Sequence, residues 1–412
     1  MITPDEAIKL ILGAIEPLPA EEIPLEEAVG RTLAGDLFAS VDLPPFRNTA
    51  MDGFALRSED TLEASTDRPV ILRIKEVAGA GHVTRKALRK EEAIRIMTGS
   101  PLPAGSDAVV MMEMTQPAGD GRAVVFQPVR IGENVRGQGE DVRAGDLLAA
   151  KGTRIRPYEV ALLGAQGFAT VAVIRKPRIV HISTGDELVG IAQPLGPGQI
   201  RNSNGPAISG ALRRWGVPSR DLGICRDSPR ELKGILARAL RKADLLLISG
   251  GVSVGDFDYT RGVLEGLGMK EVFWKVAIKP GKPLLFGIFP PDSGRDRPAV
   301  PVFGLPGNPV SVLVCLEEFV RPALEKLQGY DPAHPRYHLH GRAENGYVTP
   351  EERQQYLFCQ VSREGEEFRI TIIRPQGSAM VGMACRANAL AIAPIGKGRI
   401  EPGDTLAFRW LK

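Results

Sequence analysis

The spacing of apolar positions switches between a helical and a strand period along the chain, and the switches divide it into regions. Near the start, Ile8, Ile11, Leu12 and Ile15 form one helical apolar face. Thr3 ahead of Pro4, with Glu6 beyond, supplies an N-cap, a proline at the first helical position and a capping box. A second helix is expected from Leu25 to Ala34. After Val41 the pattern turns to short β-like runs, PVILRIKEV, AIRIMTG, DAVVMME and RAVVFQPV, split by Gly, Pro and Asp. Helical spacing returns over Pro157 to Ala165, followed by the strand-like FATVAVI. A β-rich stretch with helical sequence on both sides predicts an insertion. The N-terminal domain is then discontinuous, 1–44 and 147–175, and interrupted by a β-rich domain at 45–146.

From residue 176 strand and helix alternate. RIVHIS and DLLLIS read as buried strands, and EVFWKVAI, PLLFGIF and AVPVFGL as later ones. Helices are expected from Pro206 to Trp215, after the Ser228 cap with Pro229 and Glu231, from Tyr259 to Leu267, and from Val310 to Leu327. This alternation predicts an α/β domain at 176–327 with helices on both faces of the sheet. The last stretch, 328–412, reverts to β with YLFCQVS, FRITII, ALAIAPI and TLAFRWL, and Asn345-Gly346 marks a hairpin. It predicts a small barrel or sandwich. The fold class expected is therefore multidomain, α/β plus β.

Composition narrows the function classes. The 412 residues exceed one core at about 150 residues per domain. The 52 basic and 49 acidic residues nearly cancel, so there is no general pull toward nucleic acid or an anionic membrane. Cys225, Cys315, Cys359 and Cys385 are far apart, and the histidines add no zinc signature. A reduced, cytoplasmic chain is expected. No apolar run approaches the length of a membrane span.

Ligands of open α/β sheets bind at the carboxyl ends of the strands. Those ends here read STGDEL (183–188), CRDSP (225–229), SGGVSVGDFDYT (249–260), KPGKP (279–283) and GLPGNPVS (304–311). Gly250-Gly251 after Ser249 either form an anion nest or only a tight turn. Glu187, Asp227, Asp256 and Asp258 either hold a divalent ion against a phosphate or cap turns and helices. Lys279 and Lys282 flank a rigid Pro-Gly pair, either as oxyanion ligands or as solvated surface charge. Asn308 is placed to cap the following helix, and Ser311 to contact a ligand. In the β-rich region Asp52, Thr98, Glu140 and Asp141 sit in polar turns with no evident local task. His181 lies in an apolar strand and reads as a core residue.

Taken together and in order, NTAMDGFA, IMTGSPLPAGSDAVV, GEDVRAGD, STGDEL, SGGVSVGDFDYT, KPGKP, GLPGNPVS and QGS at 376–378 resemble the molybdopterin molybdenumtransferases of the MoeA type, which include the catalytic domain of gephyrin. The resemblance spans essentially the full length. It implies a discontinuous first domain, an inserted β-rich domain, a three-layer α/β molybdopterin-binding domain and a C-terminal β-barrel. It implies an elongated homodimer with a composite active site and insertion of molybdate into adenylylated molybdopterin with release of AMP. The implied cofactor is Mg²⁺. Contacts with the adenylyltransferase that makes the substrate and with acceptor molybdoenzymes would follow.

Carried over residue by residue, the resemblance implies catalytic roles for Asp52, Thr98, Asp141, Glu187, Asp227 and Asp258, with Asp227 and Asp258 as metal ligands. Ser249, Gly250 and Gly251 would hold pterin or phosphate, and Lys275 a phosphate. Lys279, Lys282, Ser311 and Ser378 would receive molybdate, with Pro306, Asn308 and Arg353 also in contact with substrate. The family pattern Arg-x-x-aromatic-x-Arg is met at Arg353 and Tyr356 but ends in Phe358, so one arginine of the pair is missing. Other readings are an adenylyltransferase, which resembles only the α/β domain, a non-catalytic pterin-binding scaffold, and a tungstate-inserting paralogue. Retained Asp52, Glu187, Asp227 and Asp258 favour an enzyme over a scaffold.

Overall fold

The computed structural model describes residues 1–79, 81, 83–251, 259–291, 298–332 and 336–411. They form two compact units, one of residues 36–151 and 157–169, the other of residues 1–35, 152–156 and 170–412.

The first of these is the β-rich insertion. Its six-stranded sheet runs, in spatial order, Ala108–Met111, Gly53–Leu56, Glu92–Ile96, Val70–Ala78, Arg122–Val125 and Thr115–Pro117. Alternate residues serve opposite faces, as the strand period requires. Phe54 and Leu56 join one core, while Ala55 joins Ile94, Ile96 and Val109 in another. Helix α2, Pro157–Ala165, belongs to this unit.

The other unit opens with helix α1, Pro4–Gly13, whose Thr3–Glu6 capping box forms as expected. The expected helix from Leu25 to Ala34 is absent. Only a 3₁₀ turn, Leu25–Glu27, forms there. Gly30 then takes φ +79°, outside the helical region. Thr32 and Leu33 bridge to Arg154 and Val173, and the preceding strand Ala20–Pro24 pairs with Thr170–Ile174. The backbone here is committed to tying the returning chain to the N-terminus, and that outweighs local helical spacing.

The α/β sheet contains β1 Ile179–Thr184, β2 Ser219–Cys225, β3 Leu245–Ser249, β4 Lys270–Trp274, β5 Leu285–Phe289 and β6 Val300–Leu305. Their spatial order is β2-β1-β3-β6-β5-β4. The first four are parallel, and β5 and β4 add antiparallel pairings. Both faces are covered, so the central strands are apolar throughout. Leu245 and Leu247 face a core shared with helices α3 (Asn204–Arg214), α6 (Pro309–Cys315) and α7 (Arg321–Leu327). Leu246 and Ile248 face α4 (Pro229–Leu240) and α5 (Thr260–Gly266). The helix expected over Val310 to Leu327 forms, but a π-helical turn, Leu316–Val320, separates α6 from α7. Pro322 explains it: a proline ring crowds the carbonyl four residues back, and a widened turn relieves that clash.

The C-terminal strands close into a barrel in the order Gln354–Glu364, Glu367–Ile372, Leu339–Ala343, Thr405–Trp410, Ala389–Ala393, and back to the first. Asn345-Gly346 is not a hairpin, because the strands flanking it do not pair with each other. The Asn345 side chain instead exchanges hydrogen bonds with the Ile372 backbone, at 2.8 and 2.9 Å. The hairpin lies at Gly365-Glu366, where Glu364 pairs with Glu367 and Gly365 takes φ +62°. One short strand, Ile278–Lys279, runs parallel to Gln354–Gln355 and ties the KPGKP loop to the barrel.

Candidate functional site

A cleft of about 700 Å³ opens where the carboxyl ends of β1, β3 and β6 face the barrel strand 354–364. Its lining includes Glu187, Asp227, Ser249, Gly250, Gly251, Lys279, Lys282, Pro306, Asn308, Ser311, Arg353 and Ser378. Sequence motifs as far apart as Glu187 and Ser378, 191 positions along the chain, therefore share one cavity.

One end is acidic. β1 and β2 are adjacent and parallel, so Asp186 and Glu187 beyond β1 stand beside Asp227 beyond β2. The Asp227 amide donates to Asp186 Oδ1 at 3.2 Å. Partial burial pushes the Asp227 carboxyl up, and the nearby Asp186 and Glu187 charges push the same way. Among the described residues no group of three or more His, Cys, Asp or Glu is arranged to hold a metal. Asp256 and Asp258, the other expected members of this cluster, lie outside the described residues.

The Gly250-Gly251 turn owes its glycines first to packing. A Cβ at Gly250 would lie 2.4 Å from the Thr184 carbonyl oxygen, and one at Gly251 would lie 2.2 Å from Thr260 Oγ1. Both residues also take positive φ. The Gly250 amide donates to the Leu305 carbonyl at 3.1 Å, so an anion nest here lacks that donor. The Ser249 side chain is buried and donates to Ser183 Oγ at 3.1 Å. Of the two readings open for this segment, the tight turn accounts for both glycines, and the Gly250 amide is already engaged.

The other end carries cations and hydroxyls. Lys279 and Lys282 project from a loop pinned at both sides, with Val276 and Leu284 amides both donating to the Lys282 carbonyl at 3.0 and 2.9 Å. A Cβ at Gly281 would lie 2.8 Å from Cys315 Sγ, so only glycine lets this loop pack on α6. Asn308 occupies the position before α6, but its side chain does not cap the helix. It reaches instead to Ser378 Oγ at 2.9 Å, while the Val310 amide donates to the Ser378 carbonyl at 3.0 Å. Gln376 fixes the same QGS turn to the barrel through the Phe358 and Ile373 carbonyls, at 2.8 and 2.7 Å. Ser311 is buried in the first turn of α6, and Arg353 lies on the barrel side next to Glu352, at 3.1 Å.

Other expected residues stand elsewhere. Lys275 is not among the cleft-lining residues; its ammonium lies 3.7 Å from the centre of the Trp274 ring, and its φ is +74°. Asp52, Thr98 and Asp141 are exposed residues of the β-rich unit. Asp52 accepts from the Thr98 amide and hydroxyl, each at 2.7 Å, and these bonds hold its carboxyl below the usual range. Thr98 thus positions Asp52. The loop bearing Asp141 is organised by Asp42, which accepts from Gln138 and the Ala144 amide at 2.8 and 2.9 Å. Asp42, Asn204, Gln355 and Gln376 went unnoticed in the sequence. Asp42 and Asn204 are lone polar residues to which only the fold gives partners, Gln376 opens the QGS motif without any sign there of its bracing role, and Gln355 is buried at the register position of Lys279.

Residues 2–167 match the MoeA N-terminal region (domains I and II), residues 180–326 a probable molybdopterin binding domain, and residues 341–409 the MoeA C-terminal region (domain IV). The chain belongs to the MoeA family of molybdopterin molybdenumtransferases. Molybdopterin molybdenumtransferase of Haemophilus influenzae is 33% identical over 99% of this chain and 98% of the relative. That of Synechococcus elongatus is 37% identical over 98% of each. The crystal structure of the MoeA protein from Pyrococcus horikoshii OT3 superposes with a TM-score of 0.82 at 29% identity, covering 100% of both chains. The MoeA architecture thus extends over the whole chain, with its inserted β-rich domain, α/β domain and C-terminal barrel.

Proposed function

We propose that the chain inserts molybdate into adenylylated molybdopterin and releases AMP, as a step of molybdenum cofactor biosynthesis. The observation that carries this reading is the division of charge within one cleft. Carboxylates stand at one end, and Lys279, Lys282, Arg353, Ser311 and Ser378 at the other.

A tetrahedral dianion is well matched to ammonium, guanidinium and hydroxyl donors, so the second end suits molybdate. The acidic end suits a phosphoanhydride only with a cation between like charges. Burial, with the nearby Asp186 and Glu187 charges, raises the Asp227 carboxyl, and a divalent ion bound there would favour its ionised form. Mg²⁺ commonly takes one or two protein carboxylates and completes its shell with water and phosphate oxygens, so a smaller protein ligand set suffices. Asp227 would hold it, with Asp258 as the second proposed ligand. When bound, the ion neutralises phosphate charge as the anhydride is cleaved. Glu187 would orient substrate or water, and the Ser249 to Gly251 turn would bound the pterin side.

Asp52, held by Thr98, and Asp141 belong in this proposal as residues that a second copy brings to the cleft of a homodimer. Exchange with the adenylyltransferase and with acceptor molybdoenzymes would follow from the substrate and product.

The test is AMP release from adenylylated molybdopterin with Mg²⁺, with and without molybdate, and with tungstate. Release that depends on molybdate, with metal retained on the pterin, is expected. Tight binding of the adenylylated pterin without turnover under either oxyanion would make the chain a pterin-binding scaffold. Release with tungstate alone would make it a tungstate-inserting relative.

A further inference from the structure

The basic end of the cleft is split between two bodies. Lys279, Lys282 and Ser311 come from the α/β domain, and Arg353 and Ser378 from the barrel region. Its geometry therefore depends on how the barrel is seated. Two features join them. One is apolar: Tyr356, Phe358 and Leu390 of the barrel share a core with Val312, Phe319 and Leu324. Apolar contact is non-directional and fixes proximity better than register.

The other feature is a buried charge cluster that the cleft chemistry does not use. The π-helical turn carries Glu317 and Glu318, and Glu325 follows on α7. Facing them are Arg409 on the barrel strand Thr405–Trp410, and Arg336 and Tyr337 just ahead of the barrel strand Leu339–Ala343. Arg409 Nη2 lies 2.8 Å from Glu318 Oε1 and 3.5 Å from Glu317 Oε2. The Tyr337 hydroxyl donates to the same Glu318 oxygen at 2.9 Å. Arg336 donates to the Glu317 carbonyl, and its Nη2 is 3.8 Å from Glu325. The Arg409 and Glu318 side chains are only 11% and 6% exposed, so solvent screens this pair little. The Tyr337 ring centre is 6.3 Å from that of Tyr356, which lines the cleft.

Such pairs add little net stability over an apolar joint of equal volume, and in some proteins they serve instead to select one arrangement. We propose that Glu318 and Arg409, with Tyr337, form a positioning device that sets the barrel wall against the α/β wall and so sets the affinity of the split oxyanion subsite. The affinity half of this rests on the function proposed above; the seating half does not.

The test uses Arg409→Met, Arg409→Lys and Glu318→Gln in the full chain. Each is given a molybdate titration of AMP release and a spin-label distance measurement. The labels sit on Cys385, which is exposed while the other three cysteines are buried, and on Lys233→Cys, an exposed position of α4. Arg409→Met is expected to raise the molybdate KM about tenfold, with kcat within about threefold, and to broaden the distance distribution. Arg409→Lys should recover most of both. An unchanged distribution in a folded variant overturns the proposal, whatever happens to its melting temperature or KM. If Arg409→Met does not fold, Glu318→Gln decides by the same criteria. If the wild type shows no molybdate-dependent release, the functional reading fails, and the distance distribution alone decides the seating.

Discussion

Asp227 and Asp244 flank parallel strands of the same mixed sheet, at opposite ends, and their surroundings treat a negative charge in opposite ways. Asp244 precedes β3, is 3% exposed, and accepts from Arg175 at 2.6 and 2.8 Å and from Arg178 at 3.0 and 3.1 Å. Burial alone would raise its pKa, but the two guanidiniums and the Arg178 amide outweigh it and hold the carboxyl at about 2. Asp227 follows β2 at the cleft. Burial raises it, and its acidic neighbours add to the shift. The amino end of the sheet satisfies its carboxylate, while the cleft end leaves one strained. A carboxylate kept where folding would rather neutralise it points to a task other than folding.

Exchanging Asp227 for Asn should break the comparison most sharply. Turnover should fall about a thousandfold, while the melting temperature at pH 7 stays level or rises. The sign follows from the raised pKa: the ionised carboxylate costs stability above the ordinary carboxylate range, and that cost vanishes as pH falls. The gain in melting temperature should therefore shrink toward pH 4. Chemical denaturation and AMP release on the same preparation check both halves.

Asp244→Ala should do the reverse. It leaves two arginines without their partner and should cost about 3 kcal/mol in denaturant unfolding, with kcat of the folded protein preserved. The depressed pKa gives the opposite pH sign. Stability from this carboxylate is full above the ordinary carboxylate range and lost as pH falls through about 2. The wild type should lose its advantage over Asp244→Ala in that acidic window.

The smallest effect belongs to Ser228→Ala at the start of α4, one residue beyond Asp227. Ser228 Oγ accepts from the Glu231 amide at 3.4 Å, a long cap bond. Losing it should cost about 1 kcal/mol and leave the molybdate KM unchanged. A large loss of turnover instead would mean that α4 also aims Asp227.

What the sequence revealed follows the same physics. DLLLIS and AVPVFGL are apolar on both faces because helices cover both, so their runs announced themselves. The Ser228-Pro229 start and the Thr3 box are local and were legible. Leu25 to Ala34 was misread because its partners, Arg154 and Val173, lie more than a hundred residues away. Asn308 was misread for a related reason: its carboxamide serves Ser378 on a distant turn, where a cap needs only neighbours. The motif residues of the cleft were found through recurrence in a family. Asn204, which holds the Gly307 carbonyl, has no signature beyond being polar, and Gln376 opens the QGS motif but its bracing of the turn shows only in the fold.

The central claim is that the two ends of the cleft do separate work. The most direct test is the molybdate dependence of AMP release in wild type, Asp227→Asn and Lys279→Ala. The account predicts that Lys279→Ala raises KM for molybdate about tenfold or more yet approaches wild-type kcat at saturation, while Asp227→Asn loses kcat and still binds molybdate in direct titration. If both variants lose binding and turnover together, the cleft acts as one undivided site and the division of charge is not a division of labour.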